Sequence, residues 1–195
     1  MNNFTLDLVK QLIKTNNDSI NSTAIKNCHA LGLNSFIINH IPKIRLFIAD
    51  DDCELFEKFD PLNPKIPIHA HKYNDLFMQL EGELIHHFYN IGTDIKFNKY
   101  RYYRLSDKEQ TIQNIGCEYL KYRGEKHDVV ELKSSILHSV SLSGEKCSWI
   151  IIELDKDENF EQVSYHQNLV NNPELYKRFD DPINYLNQYF KSYKS

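Results

Sequence analysis

The sequence predicts an all-β core, either a sandwich or a barrel, with α-helical additions at both ends. Between Ser35 and about Leu154, short β-prone runs follow one another at a regular spacing. Turn signals such as Pro61–Pro64 and Gly92–Asp94 separate these runs. No segment of helix length lies between them, which disfavours a parallel α/β architecture.

The N-terminal segment, residues 1–34, is expected to be helical and to pack on the core. Apolar residues three or four positions apart predict a first helix. A second helix is expected to be capped by Asp18 or Ser19 and to run through Leu31. Gly32 stands where this helix should end. The apolar positions of the first helix are Leu6, Val9, Leu12 and Ile13.

The central segment, residues 35–155, is expected to form the β core. Its last predicted strand alternates Trp149 and Ile151 with Ile150 and Ile152. Both sets are apolar, so this strand should be buried on both faces. The predicted strands are 36–41, 44–49, 54–59, 66–71, 76–80, 84–91, 95–105, 117–123, 128–132, 138–142 and 147–154.

The C-terminal segment, residues 156–195, returns to helical signals. Asn172 and Asp181 each precede a proline, which places a capping residue before the first position of a helix. We therefore expect two helices here, packed on the core, with contact to another copy of the chain as the alternative. The apolar stripe of the second helix is Ile183, Leu186, Tyr189 and Phe190.

Composition and charge exclude several classes of function. The 195 residues carry a net charge of −4, and no Lys/Arg run exceeds two residues, so a nucleic-acid footprint is not indicated. No apolar stretch approaches the roughly 18 residues of a membrane span, and residues 1–5 lack a signal-peptide pattern. The four cysteines are far apart, which excludes a CxxC motif. We expect a cytoplasmic protein without disulfides that binds neither nucleic acid nor membrane.

A histidine pair carries the chemistry of this sequence. His69 and His71 are two positions apart on a predicted strand, so their side chains leave the same face and can hold one metal ion. Asp75 follows after a short bend and can return a carboxylate to the same point. Phe77 and Gln79 share the parity of Asp75 and are expected to line the interior, where Gln79 indicates a polar, substrate-binding pocket.

The spacing of these residues resembles the first motif of the cupin superfamily. In that motif two histidines, an acid and a glycine stand at these intervals; Asp75 replaces the usual glutamate, and Gly82 supplies the glycine. The second cupin motif adds a histidine from a later strand, and its best match is His138 within 133–142. The resemblance covers roughly residues 40–154. The second motif departs from the family at Lys133, Ser135 and Leu142, where proline, glycine and asparagine are usual.

The resemblance implies a double-stranded β-helix, which is a small jelly-roll barrel. It also implies one divalent metal held by His69, His71 and His138, with Asp75 as a fourth ligand. Because Asp is one methylene shorter than Glu, a site of three histidines is the alternative. Fe(II) is favoured, although Zn(II), Ni(II) and Mn(II) accept the same ligands. Such a metal would polarise a substrate or activate water or dioxygen.

Among cupins, a three-histidine iron site is similar to that of thiol dioxygenases such as cysteine dioxygenase. Two features are similar to that group: the insert from Gly82 to His127 is long, and residues 82–89 resemble the strand that follows its first motif. This likeness implies a non-haem Fe(II) dioxygenase acting on a small polar or thiol substrate. Arg45, on an early β-run, is the expected cation for the substrate carboxylate, and a solvent-exposed arginine on an edge strand is the alternative. His127 itself is expected to lie in a loop.

Other functions remain open at this point. A cupin isomerase or epimerase of sugars would use a histidine as general base and needs no metal. A non-catalytic cupin that binds a small molecule is the other alternative.

The adjacent His86 and His87 should point to opposite faces of their strand. Cupins commonly pair through their barrels, so the resemblance allows a homodimer.

Overall fold

The computed structural model describes residues 3–106, 109–126, 128–158, 163–166 and 172–191. Within these ranges the chain is mostly antiparallel β-sheet with a few helices, as the sequence predicts. The helices are α1 (Asn3–Thr15), α2 (Asn17–Thr23) and α3 (Pro182–Lys191), with a 3₁₀ helix at Glu54–Phe56. The strands are β1 (Ile25–Lys26), β2 (Leu33–His40), β3 (Lys43–Ala49), β4 (Ile68–His69), β5 (Tyr73–Ser106), β6 (Glu109–Lys126), β7 (Val129–Leu132), β8 (Leu137–Lys156), β9 (Val163–His166) and β10 (Lys177–Arg178).

The strands form one sheet that stays open in the described residues. Its order is β10-β1-β2-β3-β8-β4-β9-β5-β6, with β7 paired to β5. The long strands β5 and β8 also pair with each other, so they tie the two halves of the sheet together. The jelly-roll barrel implied by the resemblance remains a prediction. His127, expected in a loop, lies outside the described residues.

Two of the helix predictions need correction. The helix predicted to run through Leu31 ends at Thr23 instead, because Ala24 is extended and Ile25–Lys26 pair in the sheet as β1. The helix predicted after Asn172 is a series of turns that ends at Tyr176, which also has a positive φ. The helix predicted after Asp181 is confirmed as α3, and the Asp181 side chain accepts a hydrogen bond from the Asn184 amide at 3.0 Å.

Three parts of the strand prediction need correction, the first being that the predicted strands 138–142 and 147–154 are parts of the single strand β8. Residues 54–59 contain the short 3₁₀ helix rather than a strand, because the carbonyls of Cys53 and Glu54 accept local amide hydrogen bonds three residues ahead. The three runs between 76 and 105 are parts of the single strand β5. This strand bends at Gly82, whose φ of +73° favours glycine, and a Cβ there would overlap the carbonyl oxygen of Lys146.

The two faces of the sheet carry separate hydrophobic clusters. On what we call the inner face, Phe47 and Trp149 stack with ring centres 5.1 Å apart in a cluster that includes Phe77. On the outer face, Ile150 packs in a cluster with the terminal helices. Strand β8 is therefore buried on both faces, as predicted. The helical members of the outer cluster are Val9, Ile13, Ile20 and Leu186.

Two further findings concern membrane-spanning helices and cysteines. In the ranges given above, no helix combines the length and the apolar character that crossing a bilayer requires. Cys28, Cys53 and Cys147 are buried thiols without a disulfide, and burial is the main cause that raises their pKa values to between about 11 and about 12. The side chain of Cys117 lies outside the description.

Candidate metal centre

Three histidines from separate parts of the chain converge on one point. His69 on β4 pairs in register with His138 on β8, and His71 follows β4 in the bend before β5. The Nε2 atom of His71 lies 3.0 Å from Nε2 of His69 and 3.0 Å from Nε2 of His138. One ring nitrogen of each residue lies within 4.8 Å of the other two. The three predicted histidines therefore form a group that can hold a metal ion.

The outward ring nitrogens of His69 and His71 decide which form of each ring is present. Nδ1 of His69 lies 2.7 Å from the carbonyl oxygen of Pro67. A carbonyl only accepts hydrogen bonds, so Nδ1 carries the proton and Nε2 of the neutral ring presents a lone pair. Nδ1 of His71 contacts the carboxylate of Asp75, so Nε2 is the ring nitrogen turned towards the other histidines. Nε2 of His69 and Nε2 of His71 thus approach to 3.0 Å, a spacing at which both can bind one cation.

Asp75 lies behind His71 and away from the point of convergence. Its side chain is 2% exposed, while that of His71 is 20% exposed. Because Oδ2 contacts Nδ1 of His71, the carboxylate orients this ring, which fits the three-histidine alternative better than a fourth ligand. Oδ1 of Asp75 is buried and has no hydrogen-bond partner among the described groups. The side chain of Asp75 is short, and it reaches the ring of His71, four residues earlier in the chain.

His138 forms the deepest part of the site. Its side chain is 2% exposed. Burial, together with the nearby His69, His71 and His86, holds the pKa of His138 well below 6.5. The ring is therefore neutral at neutral pH, which is the form that binds a metal. His138 is ready to act as a ligand without first losing a proton.

Phe77 and Gln79, both predicted to bind substrate, have different positions. The Phe77 ring, 4% exposed, packs edge-on against His138 with centres 5.7 Å apart and also lies 5.7 Å from the His71 ring. It forms an apolar wall of the site. The amide of Gln79 instead donates to the Gly82 carbonyl and accepts from the Leu84 amide at 3.0 Å. Gln79 stabilises the bend in β5, and its amide is used there instead of in a pocket.

His86 and His87 point to opposite sides of β5, as their adjacency predicts. The ring of His86 is fully buried and lies parallel to the His138 ring, with centres 5.9 Å apart. Nε2 of His87 lies 2.7 Å from the hydroxyl of Ser141, and its ring stacks on Phe59. Burial lowers the pKa of His87 to about 4. Neither residue is in the three-histidine group.

Arg45 lies on the inner face of the sheet. Strand β3 pairs with β2 on one side and β8 on the other, so the alternative of an edge strand is wrong. The guanidinium carbon lies 6.0 Å from the centre of the Phe47 ring, and Nη1 donates to the Ser35 hydroxyl at 3.4 Å. No carboxylate of the described chain forms an ion pair with Arg45. This half-buried cation can therefore bind an anion.

His29 also lines the site, although the sequence did not single it out. Its ring centre lies 6.4 Å from that of His69, and Nδ1 lies 2.6 Å from the Tyr176 hydroxyl. Burial first, then the charge of Arg45 and the proximity of His71, lower the pKa of His29 to about 4. The sequence placed His29 within a predicted helix and outside both motifs, so no spacing pointed to it.

The site is thus defined by its own geometry: three converging imidazoles, an orienting carboxylate, an apolar wall and a cation on the same face of the sheet. Its chemistry matches what the sequence motifs imply for His69, His71 and His138. A scan against models of protein families matched none of them, and a search of curated proteins found no match either.

Proposed function

We propose that this protein is a metal-dependent enzyme of the cupin type that acts on a small anionic molecule. One divalent ion would be held by His69, His71 and His138. The observation that carries the proposal is the approach of Nε2 of His69 and Nε2 of His138 to within 3.0 Å of Nε2 of His71, while Nδ1 of His69 and Nδ1 of His71 have partners elsewhere. A metal ion is the partner that this donor set accepts best.

The chemistry of the donor set limits the choice of ion. Three imidazoles that leave open coordination positions suit Fe(II), Ni(II), Mn(II) and Zn(II) alike. We favour Fe(II) and a dioxygenase reaction. A bound ion of this kind supplies open coordination positions that polarise a substrate or activate dioxygen.

The side chains around the ion divide the remaining tasks. Asp75 holds the ring of His71 in its binding tautomer. Phe77 keeps water from the inner side of the imidazoles. Arg45 supplies the positive charge for a carboxylate or another anionic group of the substrate. A small polar or thiol acid satisfies all three environments.

Metal loading tests the first part of the proposal. The protein is stripped with a chelator, reloaded with Fe(II) without oxygen, and its bound iron is measured beside His71→Ala and the control His40→Ala. His40 is exposed and contacts Ser19, outside the site. We expect about one equivalent in the parent and the control, and none in His71→Ala. A parent chain that retains no Fe(II), Ni(II) or Zn(II) after reloading would overturn the proposal.

Oxygen uptake tests the second part. The iron-loaded chain is assayed with a panel of thiols and small carboxylic acids. We expect consumption that requires iron and is lost in His71→Ala, with an increased KM in Arg45→Met that Arg45→Lys partly restores. Stoichiometric metal without turnover of any member of the panel would contradict the dioxygenase and favour a non-catalytic binding protein.

A further inference from the structure

Backbone strain is concentrated beside the metal centre. Three residues other than glycine have a positive φ in the described part of the chain: Asn27 at 55°, His29 at 69° and Tyr176 at 59°. They come from opposite ends of the chain and meet at one place. Residues other than glycine rarely adopt a positive φ. Such backbone strain persists where the surrounding structure enforces it, as at ligand sites.

A C-terminal strap, residues 172–178, enforces this conformation. The Tyr176 amide donates to the carbonyl of Asn27 at 3.1 Å, and the Asn27 side chain donates to the carbonyl of Glu174 at 2.9 Å. At the end of the strap β10 pairs with β1, and Arg178 donates to the carbonyl of Ser22 at 2.6 Å. The strap thus fixes the turn that carries His29.

The strap also sets the orientation of the His29 ring. The Tyr176 hydroxyl lies 2.6 Å from Nδ1, and the two rings meet edge to face with centres 5.3 Å apart. When this hydroxyl donates to Nδ1, the neutral ring carries its proton on Nε2. The His29 ring is stacked beside the His69 ring, with centres 6.4 Å apart and planes 22° from parallel. The remaining N–H of His29 thus belongs to a ring adjacent to the three-histidine group.

We propose that His29 is a ligand-binding residue of this site, that it and Arg45 donate to the same anionic group of a small acid bound at the metal, and that Tyr176 is its positioning residue. The inference rests on the proposed function, since it places the acid at the metal. It assigns the C-terminal strap a role in assembling the site. The two histidine motifs do not include this strap.

A spectroscopic titration tests this inference. The protein is loaded with Co(II), because thiolate binding to Co(II) produces a charge-transfer band. Mercaptoacetate and 2-mercaptoethanol are titrated separately. They differ in that only the first has a carboxylate, so the ratio of their Kd values measures binding of the anionic group. We expect wild-type protein to prefer mercaptoacetate, and His29→Ala to lose roughly tenfold or more of that preference, as for a hydrogen bond to a charged group.

Three further variants separate positioning from folding. Tyr176→Phe removes one hydroxyl and should lower the preference for mercaptoacetate, while Tyr189→Phe removes a hydroxyl that contacts Glu81 and should leave it unchanged. His29→Gln retains a side-chain N–H and should restore part of the preference. Each variant should bind one equivalent of Co(II), and a structural role alone would not change a ratio of Kd values.

The outcomes are distinguishable. Failure of the wild-type chain to bind Co(II) would overturn the proposed function and this inference with it. If Co(II) binds but the wild-type chain shows no preference for mercaptoacetate, this inference is wrong while the metal site stands. An unchanged preference in His29→Ala with Co(II) bound would likewise overturn it.

Discussion

The carboxylate of Asp75 contacts Nδ1 of His71, four residues earlier in the chain and on the opposite side of the ring from the other two histidines. Asp75 is almost completely buried, whereas His71 is partly exposed. The contact orients this partly exposed imidazole, so that Nε2 is turned towards the other two histidines. Carboxylates in this position raise the basicity of a histidine ligand and stabilise the bound metal.

Replacing Asp75 should therefore weaken the metal site without destroying it. We expect Asp75→Asn to lower metal affinity by roughly 10- to 100-fold, because the histidine loses its orienting charge and keeps its ligand atom. The measurement is a competition with a chromophoric chelator, using Ni(II) or Co(II). Complete loss of binding, equal to that of His71→Ala, would instead identify Asp75 as a ligand.

Metal binding should raise the thermal stability of the chain. An ion that binds only the folded state stabilises it by about 2.7 kcal/mol when its free concentration is about 100 times Kd. We expect Tm to increase with Ni(II) and to fall again when a chelator is added. In His138→Ala the increase should disappear, because one of the three ligands is lost. An equal increase in this variant would place the stabilising ion elsewhere.

The bend of β5 depends on Gly82, and a second glycine provides a matched control. Both Gly82 and Gly144 have positive φ, but a Cβ on Gly82 would overlap the Lys146 carbonyl, while a Cβ on Gly144 has no atom within 4 Å. We expect Gly144→Ala to lower the free energy of unfolding by about 1–2 kcal/mol, from backbone strain alone. Gly82→Ala should lower it clearly more. Urea unfolding measures both, and equal losses would show that the close approach is unimportant.

Much of the site could be predicted from sequence because its ligands follow simple spacing. His69 and His71 are two residues apart, and their convergence follows from local chain geometry. His138 comes from a distant strand, and the resemblance to a known motif was needed to include it. The position of Arg45 on the inner face could be predicted neither from local spacing nor from the resemblance, because it depends on which strands flank β3.

The contributions of the chain ends could not be predicted in this way. His29 lies next to the site because residues 172–178 hold its turn, through hydrogen bonds between groups 147 residues apart in sequence. The local pattern there indicated helices, and tertiary pairing of β1 with β10 prevailed over it. Gln79 shows the reverse case, since its parity indicated a pocket but its amide is used by the neighbouring bend.

His87 should make the stability of the protein sensitive to acid. Its pKa is about 4 in the folded chain and about 6.5 when unfolded, so between these values only the unfolded state binds the proton. The stability contributed by the neutral ring is complete above pH 6.5 and is lost as the pH falls towards 4. Between about pH 7.5 and about pH 5, we expect wild type to lose about 2 kcal/mol more than His87→Gln. Urea unfolding with a chelator present measures this difference, with the exposed His40→Gln as control, which should behave as wild type. If wild type and His87→Gln had parallel pH profiles, His87 would be protonated equally in the folded and the unfolded state.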